Sequence, residues 1–191
     1  LRHPAPYGRW AVRLAIVRQV LVQLGHLALP ARLPSRREPD AAARECAHIY
    51  EAMGLIDYFT DQERLFLDAL MLLNVSERAG YDLGVARGAS GLGLICDLIP
   101  LWALARRYHA RAIALAESTQ HPSTIALAHV VASFHHLRTG ADRRQVLHHS
   151  ERAAEIRQAG DLFWWGAAKV RVAWELRLRG ETATALAYSR E

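Results

Sequence analysis

Ten histidines are the first residues whose type could do chemistry. Four of them, His135, His136, His148 and His149, fall either side of Gly140. Neutral imidazole is the commonest metal ligand, so such pairs invite a metal reading. The spacing argues against it. Neighbouring residues on a helix point about 100° apart, so each helix offers one ring per direction. No HExxH and no Cys/His ligand spacing is present. These side chains are read as surface or groove histidines, and no metal or cofactor is expected.

The glycine run GVARGASGLGLI (84–95) suggests a phosphate loop. It lacks the G-x-x-x-x-G-K-[ST] spacing and also fails G-x-G-x-x-G, so close helix packing is the reading. Cys46 and Cys96 lie in apolar helical patterns without a CxxC pair, which predicts buried thiols in a reducing compartment. Phe163, Trp164, Trp165 and Trp174 cluster near the end and read as a repeat-to-repeat core contact. No paired carboxylates, nucleophile–base pair or oxyanion motif emerges, so no catalytic residue is expected.

The elements that carry these residues are helices. Half of the residues are apolar, and Ala, Leu and Arg, all good helix formers, dominate. Residues 8–29, GRWAVRLAIVRQVLVQLGHLAL, read as one helix with apolar residues almost all round, which must be buried against something. Trp10, Leu14, Val17, Leu21 and Leu24 are its predicted buried face. Arg18 and Gln19 at its middle argue against a membrane span, and the fit of Trp10 and the arginines to a membrane surface is the lesser alternative. A linker over 30–40 follows, with Pro30, Pro34 and Pro39.

From residue 41 the chain is periodic. Helix breaks at Thr60, Pro100, Gly140 and Gly180 are 40 apart, and a second set follows Gly80, Thr119 and Gly160. Thr60 and Glu63 form a capping-box pattern. Pro100 and Pro122 suit first-turn positions, and Asp82, Asp142 and Asp161 suit caps. Gly80, Gly140, Gly160 and Gly180 suit left-handed helix ends. First helices carry a small residue seven before the break: Gly93, Ser133 and Ala173. The pattern predicts helix–turn–helix units over 42–80, 82–119, 123–160 and 162–191, the last incomplete, with a parent protein that continues beyond AYSRE.

The net charge of +5 sits in the first forty residues, where seven arginines face Glu38 and Asp40, and the rest of the chain sums to zero. A solvated arm is the reading, and no nucleic-acid partner is expected. No signal peptide and no apolar run of about 18 residues is found, so a cytoplasmic location is expected.

The offsets resemble the tetratricopeptide (TPR) family. Leu92–Gly93 and Ala132–Ser133 match its bulky–small pair, and Ala105, His109, Ala112 and Val146, Ser150, Ala153 match its alanine-like positions. The period of 40 exceeds the usual repeat, so the expectation is an all-α, TPR-like solenoid of antiparallel hairpins preceded by one helix. LRHPAPYGRWAVRLAIVRQVLVQLGH, YEAMGLIDYFTDQERLFLDALMLLNVSERAG and GLICDLIPLWALARRYHARAIALAE resemble the region after the AAA/STAND ATPase module of bacterial class III adenylate/guanylate cyclases. That resemblance implies a non-catalytic interaction or sensor domain of a multidomain signalling protein. The alternative is a stand-alone solenoid that senses a peptide or small ligand.

By the TPR register the first helices line a concave groove for a protein, a peptide or a neighbouring domain. The expected lining is Tyr50 and Asp57, then Arg87, Ser90, Leu94 and Asp97, then Leu127, Val130, Phe134 and Leu137, and finally Val170, Trp174 and Arg177.

Overall fold

In the computed structural model, residues 8–28, 41–140, 143–155 and 162–190 are described. These residues form helices α1 (Arg9–Ala28), α2 (Ala41–Thr60), α3 (Gln62–Ala79), α4 (Asp82–Leu98), α5 (Trp102–Thr119), α6 (Pro122–Arg138), α7 (Arg143–Ala154), α8 (Leu162–Leu178) and α9 (Thr182–Arg190). No strand occurs among them. The fold class is all-α. The predicted linker 30–40, the caps Asp142 and Asp161, and Gly160 lie outside the described residues.

Among the described residues the breaks fall where the turn chemistry placed them, with three differences in detail. Thr60 does not open a capping box. Its hydroxyl donates back to the Ile56 carbonyl at 3.0 Å and so belongs to the end of α2. Asp61 caps α3 instead: its Oδ1 accepts from the backbone N–H of Glu63 at 3.0 Å and of Arg64 at 3.1 Å. Pro122 occupies the first turn of α6 as expected, whereas Pro100 lies outside α5, whose N-cap is Leu101. Asp82 is the first residue of α4 rather than its cap, where its charge complements the helix dipole. Gly80 ends α3 in the left-handed region at φ 65°, with the Tyr81 N–H reaching back to the Ser76 carbonyl at 2.9 Å. Gly140 and Gly180 take the same conformation.

The chain divides into two compact units, Leu1–Leu92 and Gly93–Glu191, with the boundary inside α4. In the first unit α3 is the central element, with α1 and α2 packed on it. It buries Leu65, Leu67, Leu70, Leu72 and Leu73. The glycine run packs here too, and it packs backbone to backbone. A Cβ on Gly88 would lie 2.8 Å from the Leu73 backbone, one on Gly91 would lie 3.3 Å from the Ala69 Cβ, and one on Gly84 would collide with the Ser76 side chain. Partners descend from 76 to 69 as the glycines ascend from 84 to 91, so α3 and α4 run antiparallel.

The predicted burial of the α1 stripe is overturned. Trp10, Leu14, Val17, Leu21 and Leu24 are all exposed, Trp10 at 77%. The helix docks through its opposite face, where Val12 and Gln23 are buried. Gln23 donates from Nε2 to Asn74 Oδ1 at 2.5 Å and to Glu77 Oε2 at 2.7 Å. Asn74 in turn donates to the Gln19 carbonyl and side chain. His26 meets Glu77 at 2.5 Å, and Arg13 meets Glu63 at 2.7 Å. A helix apolar almost all round has no unique inward face by hydrophobicity alone. Gln19, Gln23 and His26 recur at helical spacing, and the polar groups of α3 give them partners, so polar matching sets the rotation.

In the second unit α6 is central, with α5, α7 and α8 packed around it. It is buried continuously from Thr124 to Ser133. Ala126 and Val130 form a core with Ala153 and Ala168, against which Phe134 and Trp164 pack. Val172, Leu176 and Ala185 form a second core with Leu147 and Tyr188. Of the aromatic cluster Trp164 packs on this core and Trp165 is half-buried, whereas Phe163 and Trp174 are exposed.

Candidate functional site

The second unit brings three buried polar side chains of α4, α5 and α6 together. Asp97 comes from the last turn of α4, His109 from the middle of α5 and His135 from the end of α6, and all three are buried. His109 Nε2 lies 2.8 Å from Asp97 Oδ2, and His135 Nδ1 lies 2.6 Å from Asp97 Oδ1. Each carboxylate oxygen therefore has its own imidazole. Burial alone would raise the Asp97 carboxyl, but the hydrogen bonds from His109 and His135 hold it below the usual carboxylate range. One ligand atom from each of the three residues lies within 4.8 Å of the other two. This set overturns the reading of His135 as a surface or groove histidine.

Local sequence explains how the cluster fits. A Cβ on Gly93 would lie 2.5 Å from His109 Cε1 and 2.7 Å from Nδ1, so the imidazole occupies the space where α4 lacks a side chain. Ala105 and Ala112 flank His109 on α5 and are fully buried, which brings that helix close. His109 Nδ1 is buried without a hydrogen-bond partner, so packing over Gly93 rather than a second acceptor fixes the ring. Cys96 beside it is buried, and burial, with Asp97 adding to it, pushes its thiol up to about 11, which leaves it unreactive.

Four more histidines extend the region. The His135 and His136 ring centroids are 5.5 Å apart, and His136 stacks on His149 at 5.1 Å. His149 Nδ1 lies 2.9 Å from His129 Nδ1, and His148 stands 5.3 Å from His149 between ring centroids. His129 Nε2 reaches Glu117 at 3.3 Å, and Arg152 closes on the same carboxylate. Burial depresses the His129 and His136 rings. Burial and then the neighbouring histidines push His149 down to about 3, so it is neutral at ordinary pH.

The predicted groove set divides. Ser90, Asp97, Leu127 and Val130 are buried in helix contacts and cannot line an open groove. Leu127 and Val130 are covered because α6 is surrounded within its unit, and Asp97 is enclosed by its contacts with His109 and His135. Tyr50, Asp57, Arg87, Leu94 and Phe134 are half-buried. Arg87 is paired with Glu51, Asp57 stands close enough to help raise the Asp68 carboxyl, and Phe134 lies under the Arg171 guanidinium at 4.1 Å. Leu137, Val170, Trp174 and Arg177 are exposed, with the Arg177 guanidinium 5.5 Å from the Trp174 ring.

The Asp97–His109–His135 convergence was missed in the sequence although one signal was present. His109 stands where the TPR pattern has an alanine-like residue, and a glycine sits at the small position of the preceding helix. A bulky polar ring opposite a glycine marks a side chain inserted into a helix contact. Compared with known proteins, the chain matches no family model, no curated protein and no solved structure at a significant level.

Proposed function

We propose that this chain is a TPR-like helical-repeat domain, with a repeat of about 40 residues, that docks other protein elements and has no catalysis of its own. On this reading it is the regulatory or sensor part of a larger cytoplasmic signalling protein of the nucleotide cyclase or AAA/STAND ATPase kind. Its partner is a neighbouring domain of that protein. The resemblance of the three quoted segments supports the parentage, and the regular helix pairs with small residues at their contacts support the repeat.

The observation that carries the docking role is the outward face of α1. Trp10, Leu14, Val17, Leu21 and Leu24 are spaced 4, 3, 4 and 3 residues apart and are all exposed. That is the seam spacing of a helix that receives another helix. Contiguous exposed apolar surface of this kind marks an interaction site rather than a solvated face. The α1 sequence contains Arg9, Arg13 and Arg18 and no acidic residue, so the matching helix carries acidic flanks.

Hydroxyl-radical footprinting tests this on residues 1–191 and on the whole parent protein. Trp10, Leu14 and Leu21 are expected to label in the isolated chain and to be protected in the parent. Equal labelling in both would remove the docking role.

A further inference from the structure

We propose that Asp97, His109 and His135 bind one divalent transition-metal ion of the zinc class, which ties α4, α5 and α6 together. The site goes beyond the docking role and does not rest on it. Three observations converge. Two imidazoles and one carboxylate from three helices place their ligand atoms within 4.8 Å of one another. All three residues are buried, so their convergence is not a chance meeting of surface groups. Both hydrogen-bond partners of the Asp97 carboxylate are histidines, with no arginine or lysine among them. A buried carboxylate needs positive charge close by, and a metal ion supplies it without requiring an imidazole to remain charged inside the protein.

The donor set selects the metal class. Two nitrogens and one oxygen suit zinc and its first-row neighbours, whereas calcium and magnesium take mostly oxygen ligands in larger number. Zinc with three protein ligands keeps a fourth position for water or a ligand. Bonds of about 2.0–2.2 Å in a tetrahedron separate donor atoms by roughly 3.3 Å. The observed 2.6 and 2.8 Å are those of direct hydrogen bonds, so metal entry spreads the two imidazoles from the carboxylate by roughly half an ångström. The gap over Gly93 sets the place of the His109 ring. The ligand is then its Nε2, the atom that faces Asp97. His135 contributes Nδ1 for the same reason.

The test uses residues 1–191 freed of metal with a chelator and titrated with Zn2+ or Co2+ alone. One equivalent of Zn2+ is expected to bind and raise the melting temperature, and Co2+ is expected to give the visible bands of a four-coordinate nitrogen–oxygen site. Asp97→Asn and His109→Ala should each weaken binding at least tenfold. His148→Ala, which alters an exposed histidine, should leave it unchanged. Should the Asp97 and His109 variants fail to fold, X-ray absorption on the zinc-loaded native protein decides: two imidazole ligands and a carboxylate oxygen support the site. The proposal is overturned by no uptake in the native protein, by uptake that survives both variants, or by an absorption spectrum without two imidazoles. Any of these leaves a His–Asp–His hydrogen-bond network and nothing more.

Discussion

The two units use the same kind of helix contact and fill it with different chemistry. In the first, α3 buries Asp68, Asn74 and Ser76, and α1 adds Gln23. These are amides, a hydroxyl and a carboxyl. In the second, the buried polar groups include Asp97, His109, His129 and His135. Small residues let the helices approach in both: Gly84, Gly88 and Gly91 in one, and Gly93 with Ala105 and Ala112 in the other. The lesson is that close packing of helices fixes the scaffold but not the polarity of what is enclosed. Where Gly88 faces backbone the helices touch directly, and where Gly93 faces His109 the ring fills a pocket between them.

The largest effect should come from filling that pocket. Gly93→Leu drives a side chain into the space of the His109 ring and separates it from Asp97. Overpacking costs about 1–3 kcal/mol, and leaving Asp97 short of a partner adds about 1–3 kcal/mol. Urea unfolding should show the sum. An unchanged midpoint would mean that the ring does not occupy the gap. Gly88→Ala is the matching change in the first unit. Its Cβ meets the α3 backbone, which cannot rotate away, so a loss of about 1–3 kcal/mol is expected. Hydrogen exchange should place the weakening in α3 and α4 peptides.

The comparison also predicts opposite responses to pH. Asp68 is buried beside Asp57, and burial, then the hydrogen bond and charge of Asp57, raise its carboxyl to about 8. The folded unit holds this proton more tightly than the unfolded chain. Its contribution is complete below the ordinary carboxylate range and is lost as pH rises towards about 8. Asp68→Asn should remove that slope and be the more stable form near pH 8, because an amide carries no charge to bury and no proton to hold. His149 behaves in reverse. With its ring lowered to about 3, its contribution is present above the ordinary histidine value and is lost as pH falls from there towards about 3. Hydrogen exchange of α3 and α6 peptides across pH separates the two responses. Parallel slopes in both units would break the contrast.

The smallest effect is expected on the outer face of α1. Leu14→Glu and Leu21→Glu should alter stability by less than about 0.5 kcal/mol, as surface substitutions do. Val12→Ala and Gln23→Ala on the docked face should cost about 1–3 kcal/mol. The reverse order would mean that the helix sits on α3 the other way round.

Much of the helix layout was legible in the sequence because its punctuation is chemical. Gly80, Gly140, Gly180 and Pro122 can do few other things at those positions. The role of the glycine run was legible for the same reason, since its spacing fits no phosphate loop. The inferences that needed a helix rotation fared unevenly: Gly93 lies at a close helix contact and Ala132 is buried, whereas the outer face of α1 and the half-hidden groove did not follow. The seam from Trp10 to Leu24 looks like a core face until Asn74 and Glu77 supply partners for the opposite one. Val130 looks like a groove residue until α6 is found wrapped by three neighbours. Asp97, His109 and His135 are 12 and 26 residues apart in sequence, and only the register of three helices unites them. No local pattern carries that register.

The glycine stripe of α4 also sets which substitutions the chain can trade. Gly84 faces the side chains of Ser76 and Tyr81, so a larger residue at 84 becomes acceptable if 76 shrinks and the Tyr81 ring moves aside at the same time. Gly91 faces the Ala69 Cβ, and a glycine at 69 would release it in the same way. Gly88 faces the backbone of Leu73, and no change of side chain at 73 can make backbone atoms retreat. Positions 84 and 91 should therefore drift as coupled pairs with α3 across related sequences, while position 88 should stay glycine throughout.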